Sequence, residues 1–378
     1  MNIIISGWYG NNNAGDEALF SALIGGLRSK GYKNLSALSY NPQYSSQKSD
    51  IHIFSEVRLN PIDAFNAIRK ADVFILGGGG LLKDEGRSYI LCLLKVAYVK
   101  LFRKKVLACG IGVGPFYTKL GKLITKAIVM NIDIMTVRDQ ESFMLLKNLG
   151  IKDNVMVLPD LAFTLPRPDP SMGKKLLDKY GINPSASQKL IGISLRPWYH
   201  VKRLWPDGDQ LFNAFLFQFS ESLRSIIKIY DAIPVFLPLQ SRTDIWVWKQ
   251  LIEKYNFQSV VPPSWNEDLD FLEIMSLVSN MDLVIGMRLH SLIFASLSNT
   301  PMIAISYSEK VSSLMRLMEL SNLDLSVDDF KSDCLIDRVN YVFKNEQLIK
   351  SCISIHVESL RIKSNENFNI VDKYISST

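Results

Sequence analysis

Arg288 and His290 stand two residues apart in Val284-Ile285-Gly286-Met287-Arg288-Leu289-His290-Ser291, where an apolar run ends at a glycine and helix-compatible sequence follows. A strand-to-helix junction of this kind lies at the carboxyl edge of a sheet, where open α/β folds bind ligands. A guanidinium grips a carboxylate or phosphate through two parallel hydrogen bonds, and an imidazole moves protons near neutral pH. Only four histidines occur in 378 residues. The arginine beside His290 weakens the alternative of a buried structural imidazole. The pair suits an enzyme that acts on a small anion.

Three further cations occupy comparable places. Arg138 ends an apolar run in Thr136-Val137-Arg138-Asp139, Arg196 follows Ile193-Ser194-Leu195, and Lys310 closes Ser306-Tyr307-Ser308-Glu309-Lys310. Each has a plain alternative: a salt bridge for Arg138, a structural contact for Arg196, a surface position for Lys310. Near the start, Gly7-Trp8-Tyr9-Gly10-Asn11-Asn12-Asn13-Ala14-Gly15-Asp16-Glu17-Ala18 follows the first apolar run. Glycine and asparagine allow close backbone approach, and the N–H groups of the next helix suit an anion or hydroxyl. Asn13, Gly15, Asp16 and Glu17 are candidates there, with helix capping the alternative for the two acids. The segment is neither GxGxxG nor a P-loop with its lysine. Gly77-Gly78-Gly79-Gly80 reads either as a tight turn or as a backbone wall against a ligand, with Gly79 central. Gly110, Gly112 and Gly114 carry the same ambiguity. His200, with Trp198, Tyr199, Lys202 and Trp205, lies in an aromatic-basic stretch suited to stacking on a sugar, to a membrane, or to a surface loop. No HExxH, Cys/His cluster or carboxylate-rich box is present, so no metal is expected.

These residues need elements to position them. Ile3–Ser6 and the apolar runs at 73–76, 106–115 and 134–138 read as short buried strands, and Asp16 to Leu27 reads as a helix. The runs at 191–195, 233–237, 260–261, 283–285 and 302–305 repeat the pattern. Buried strands alternating with helices predict parallel, doubly wound sheets. The length predicts two α/β domains with a cleft between them: 1–165, a proline-rich linker region over 166–188, 189–330, and a helical tail over 331–378.

An apolar content of 47%, a charged content of 21% and a net charge of +6 are those of a globular protein. The mild, dispersed positive charge excludes a nucleic-acid footprint and suits an anionic substrate or membrane surface. Cys92, Cys109, Cys334 and Cys352 show no paired spacing, which predicts a reducing cytoplasm without disulfides. Residues 1–6 read as a strand rather than a signal peptide, and no run of eighteen apolar residues occurs. Tyr89–Lys105 is apolar with a basic end at Lys100, Arg103, Lys104 and Lys105. It reads either as a core-facing helix or as a peripheral membrane contact.

Taken in order, Gly15-Asp16-Glu17-Ala18, Gly77–Gly80, Gly110–Pro115, Val137-Arg138-Asp139, Pro159-Asp160, Gly286-Met287-Arg288-Leu289-His290 and Tyr307–Lys310 resemble the polysaccharide pyruvyl transferase family. The likeness covers roughly residues 1–320 and is nearest to its cell-wall and exopolysaccharide members of the type called CsaB. The resemblance implies a GT-B-like fold of two Rossmann-like domains facing a cleft. It implies phosphoenolpyruvate as co-substrate, no cofactor, and as acceptor a cell-surface glycan or its lipid-linked precursor at the inner face of the plasma membrane. The product would be a pyruvate ketal, with phosphate released. By position, Arg138, Arg288, His290 and Lys310 would belong to the donor site, with Arg196 beside them, and Asp16 would serve the acceptor in the first domain. His290 and Asp16 would then share the acid and base roles, with Asn13, Gly15, Glu17 and Gly79 around the acceptor. A GT-B glycosyltransferase using a nucleotide sugar stays open as the other reading, with Glu309 as its ribose-binding acid.

Overall fold

Ile3, Ile4 and Ile5 are fully buried, as a central strand covered on both faces requires. They form β1 (Ile3–Ser6), flanked by β2 (Leu35–Ser39) and β4 (Val73–Leu82). The structure is a computed structural model that describes residues 1–84, 88–151, 153–198, 207–255 and 269–377. It divides into two units, Met1–Leu165 with Ser359–Thr378, and Pro166–Glu358.

The first unit is completed by β3 (His52–Ser55), β5 (Lys105–Val113), β6 (Ile134–Val137) and β7 (Val155–Val157). All its strands are parallel, in the order β3-β2-β1-β4-β5-β6-β7. The order reverses between β1 and β4, and at such a switch point the two loops part and leave a crevice at the carboxyl edge. The second unit has a parallel sheet of β8 (Lys189–Ser194), β9 (Ala232–Phe236), β10 (Leu283–Gly286), β11 (Met302–Ser306) and β12 (Asp324–Ser326), ordered β12-β11-β10-β8-β9. The run expected at 260–261 lies outside the described residues.

Helix starts follow local chemistry. Asn13, Asn60, Thr118 and Asp139 cap the helices Ala14–Ser29, Pro61–Lys70, Lys119–Val129 and Gln140–Asn148 by accepting from backbone N–H groups. The glycine run is not a turn: Gly77–Gly80 continues β4. A Cβ at Gly77 would meet Leu23 Cδ2 and Tyr9 Oη at 2.4 Å, and one at Gly78 would meet Leu19 Cβ at 2.9 Å. The missing side chains let helix Ala14–Ser29 and the Tyr9 ring lie directly on the strand.

Two boundaries differ from expectation. The stretch 166–188 is not a linker, because Asp169 caps and Pro170 opens the helix Pro170–Lys179. That helix packs on Phe271–Val278 at Gly173, whose N–H donates to Ser276 Oγ at 2.5 Å. The helical stretch 331–378 is divided between the two units. Ser332–Lys344 packs on Gly208–Tyr230 in the second unit, whereas Ser359–Thr378 belongs to the first. There Arg361 donates to the carbonyls of Phe163 and Leu165 at 3.3 and 3.2 Å, and Ser364 to that of Asp160 at 3.0 Å.

The Gly173 contact gives a test with an informative sign. Replacing glycine by alanine inside an exposed helix normally stabilises by about 1 kcal/mol. Here the new Cβ would lie 2.1 Å from the Ser276 carbonyl oxygen, so the backbones must separate. Gly173→Ala is expected to destabilise by about 1–3 kcal/mol, as overpacking does. A lowered thermal unfolding midpoint checks it, and an unchanged or raised one would return 166–188 to the status of a linker.

Candidate active site

In the second unit four strand ends converge on one group of side chains. Arg288 follows β10 and precedes the helix Leu289–Leu297. Its Nε donates to Asp244 Oδ2 at 2.7 Å, and its Nη2 bonds Asp244 Oδ1, Thr243 Oγ1 at 3.1 Å and Gln240 Oε1 at 3.2 Å. Asp244 is fully buried in the first turn of Ser241–Tyr255, the helix after β9. It also accepts from Gln240 N at 2.9 Å and Thr243 Oγ1 at 3.1 Å. A buried carboxylate bonded on both oxygens thus aims the guanidinium.

Arg196, just beyond β8, donates to the Tyr307 hydroxyl at 2.9 Å. Its guanidinium lies 4.7 Å from the Tyr307 ring centroid and 5.7 Å from that of Trp198, and the two rings are 4.4 Å apart. Lys310 Nζ stands 5.3 Å from the Tyr307 centroid. Burial would raise the Tyr307 phenol, but Lys310, Arg196 and Arg288 outweigh it and bring the pKa down from 10.0 to about 7.

The helices after β10 and β11, Leu289–Leu297 and Glu309–Leu317, begin at Arg288 and Ser308 without a side-chain cap. Their first N–H groups carry the positive end of the helix dipole. The Ser194 and Ser308 hydroxyls are buried at this edge without a hydrogen-bond partner. His290 lies in the first turn after Arg288, its ring 6.3 Å from that of Phe294. Cations, buried hydroxyls and helix N–H groups at one sheet edge are groups whose chemistry suits an anion.

The first unit holds the other candidates. Arg138, beyond β6, donates to Asp160 Oδ2 at 3.1 Å, and its side chain is only 8% exposed. Burial opposes the charge, but Asp160 and Asp139 overcome that and hold the guanidinium more firmly protonated than usual, with a smaller contribution from Asp16. The structure therefore groups Arg138 with Asp16, whereas Arg196, Arg288 and Lys310 gather in the second unit. Gly79 has φ +85°, and a Cβ there would meet Asp16 Oδ1 at 2.7 Å, so β4 must be bare at this point for the Asp16 carboxylate to rest against it.

Several first-unit residues have structural work in the loop. Asn13 caps the helix through Gly15 N at 3.1 Å, and Gly15 is buried in the first turn. Glu17 is 6% exposed and accepts the Gly10 N–H at 2.7 Å, so it shapes the loop. Burial raises its carboxyl to about 7, against the lowering effect of the Gly10 bond. Tyr9 donates to the Gly77 carbonyl at 2.9 Å. His200 and its neighbours at 199–206 lie outside the described residues. Glu309 is exposed and paired with Arg316.

The profile of one family matches residues 13–309 under the description polysaccharide pyruvyl transferase. The chain belongs to the polysaccharide pyruvyl transferase family. It is 26% identical over 356 residues to the amylovoran biosynthesis protein AmsJ of Erwinia amylovora, spanning 90% of this chain and 77% of that one. Its fold is similar to that of HepE from Anabaena, solved in complex with UDP, at TM-score 0.62 and 13% identity, covering 100% of both chains. A glycosyltransferase from Rickettsia africae is also similar, at TM-score 0.62 and 14% identity, covering 99% of this chain and 98% of that one. So is the UDP-GlcNAc 2-epimerase of Neisseria meningitidis, at TM-score 0.58 and 11% identity over 100% of both. Two parallel α/β units and these likenesses make the fold GT-B-like. For a member of this pyruvyl transferase family, sequence reading missed Asp244, Gln240, Thr243 and the phenol of Tyr307 as site groups. A signal for Asp244 existed: like Asp16, it opens a helix just after a strand end.

Tyr307 offers a direct check. Its folded pKa lies below its unfolded value of 10.0, so its ionisation contributes stability fully above pH 10 and loses it as pH falls through about 7. Ultraviolet titration of the folded protein is expected to show one phenol ionising near pH 7, absent in Tyr307→Phe. That variant should also lose the matching rise of stability between pH 7 and 10. Absence of the early step would mean that the three cations do not act on this hydroxyl.

Proposed function

We propose that the chain transfers pyruvate from phosphoenolpyruvate to a sugar of a cell-surface polysaccharide or its lipid-linked precursor, leaving a ketal and releasing phosphate. The observation that carries this reading is the second unit's sheet-edge cluster: Arg196, Arg288 and Lys310 together with two helix starts that lack a side-chain cap. A donor with a phosphate and a carboxylate on one carbon needs several convergent cations and N–H groups. Arg288 and Lys310 bind the donor in this proposal, with Arg196 beside them. The buried hydroxyls of Ser194 and Ser308 are suited to donate to its oxygens.

The reaction requires a proton on the methylene carbon as a first sugar hydroxyl attacks the neighbouring carbon. Phosphate then leaves with the C–O bonding pair, and a second hydroxyl takes its place. Of the two hydroxyl protons, one balances that gained by carbon and the other departs with phosphate. We assign His290 to protonate the methylene carbon and Asp16 to accept the hydroxyl proton. Within the first unit Arg138 lies in electrostatic reach of Asp16, so in this proposal it supports the acceptor-side carboxylate. Asn13, Glu17 and Gly79 keep the loop and strand in shape around it.

Calorimetry with phosphoenolpyruvate and a panel of nucleotide sugars tests the donor. Wild type is expected to bind phosphoenolpyruvate, and Arg288→Ala to weaken binding by about tenfold to a hundredfold, the worth of a charge-assisted bond. Asp244→Asn should weaken it too, through loss of the anchor that aims Arg288. Binding of a nucleotide sugar with none of phosphoenolpyruvate would make the chain a glycosyltransferase. His290→Ala is expected to keep donor binding and lose about a hundredfold or more in turnover, as removal of a general acid does. Near-normal turnover would reduce His290 to a binding role.

A further inference from the structure

Two neighbouring helices of the first unit turn apolar side chains outward. On Ser88–Leu101, Leu94 is 50% and Leu101 74% exposed; on Lys119–Val129, Leu120 is 57% and Leu123 65% exposed, and Met130 just beyond is 70% exposed. The helices pack against each other, so these residues belong to one surface. An ordinary surface helix buries its apolar stripe and shows polar groups to water. Lys119–Val129 buries Gly121, Thr125, Ile128 and Val129 and still has leucines to spare outside.

The charge carried by the two helices themselves has one sign, with the half-buried Asp84 at the start of the second bonded to the N–H groups of Tyr117 and Thr118 and Asp133 paired with Lys100. Neither helix contains an aspartate or glutamate. Lys119, Lys122 and Arg103 are exposed and Lys126 is half-buried among the apolar groups. The cations expected from sequence to serve such a contact are mostly engaged elsewhere. Lys100 holds Asp133 at 2.6 and 2.7 Å, Lys104 bonds the carbonyls of Arg69 and Ala71, and Lys105 donates to that of Ile375 at 3.1 Å. The basic component therefore comes from the second helix rather than from the end of the first.

We propose that this face docks on an anionic lipid surface, with Leu120, Leu123 and Met130 entering the headgroup boundary and Lys119, Lys122 and Lys126 on the phosphates. Lysine stems lie along apolar surface while their ammonium groups reach the headgroups. A second copy of the chain suits the face poorly, since a two-fold contact would set the same lysines against each other with no acid on either helix. Docking is peripheral: among the described residues no helix is long and apolar enough to cross a membrane. The inference stands apart from the choice of donor.

Co-sedimentation of the full chain with vesicles tests it. One set is phosphatidylcholine alone, the other phosphatidylcholine with phosphatidylglycerol. Wild type is expected to sediment with the anionic set and to be released by salt. A Lys119→Gln, Lys122→Gln, Lys126→Gln variant should partition on the order of a hundredfold less, given the worth of each lysine near such a surface. Leu120→Ser with Leu123→Ser should also lose binding, with the thermal midpoint kept because both side chains are already exposed. Ile355→Ser, an exposed apolar change on another helix, should bind as wild type. The proposal is overturned by variants that bind as wild type, by equal binding to both vesicle sets, or by no binding. It is likewise overturned if light scattering shows a dimer that Leu123→Ser dissociates, which would assign the face to a second copy.

Discussion

The buried ion pair of Arg288 with Asp244 is the constraint on which the second unit's site rests. A carboxylate removed from water is tolerable only if its lone pairs are filled, and breaking such a pair costs about 3–5 kcal/mol. Asp244 meets that condition with bonds from Arg288, Thr243 and the Gln240 N–H. Because Arg288 is also the last residue before Leu289–Leu297, holding its guanidinium holds the start of that helix, where His290 lies in the first turn. The pair joins the segment after β9 to the segment after β10, which are not adjacent strands. It thus sets the spacing across the edge of the sheet.

The first unit repeats the device with different parts. Arg138 leaves β6 and is held by Asp160, whose other oxygen accepts the Ala162 N–H and so starts the short turn Leu161–Thr164. The backbone carbonyl of the same residue accepts from Ser364 in the final helix. One aspartate therefore ties a strand-end cation, the end of the first chain segment and the returning C-terminal helix. A shared logic follows: the cation is placed by where a strand stops, and its direction by a buried acid from another crossover.

Sequence reveals the first half of that logic more readily than the second. Strand ends are visible because buried parallel strands are continuous apolar runs, and Arg138, Arg196, Arg288 and Lys310 each follow one. The acids that aim them lie 22 and 44 residues away along the chain, and nothing in local pattern joins such pairs. β2, β3, β7 and β12 escaped reading because they are short or carry polar residues at the sheet's margins. The proline-rich stretch misled for a specific reason. An Asp-Pro pair that opens a helix has the same composition as a linker, and only the contact at Gly173 distinguishes them. The four glycines read either as a turn or as a backbone wall, and neither reading foresees that Gly77 and Gly78 let a helix touch a strand.

Tyr307 shows how much of the site is collective. Alone, a phenol at the edge of a sheet is a neutral hydrogen-bonding group that burial would hold protonated. Here Lys310, Arg196 and Arg288 shift its ionisation to about 7, so the charge of the group itself depends on pH in the neutral range. Arg196, Arg288 and Lys310 against Asp244 leave two positive charges while the phenol is protonated, and one when it is not. A dianionic ligand is the better match to the first state. As the phenol ionises it becomes an anion that draws on the same cations. Arginine suits this arrangement better than lysine at 196 and 288 because a planar fork can keep one bond to its protein anchor and turn another outward.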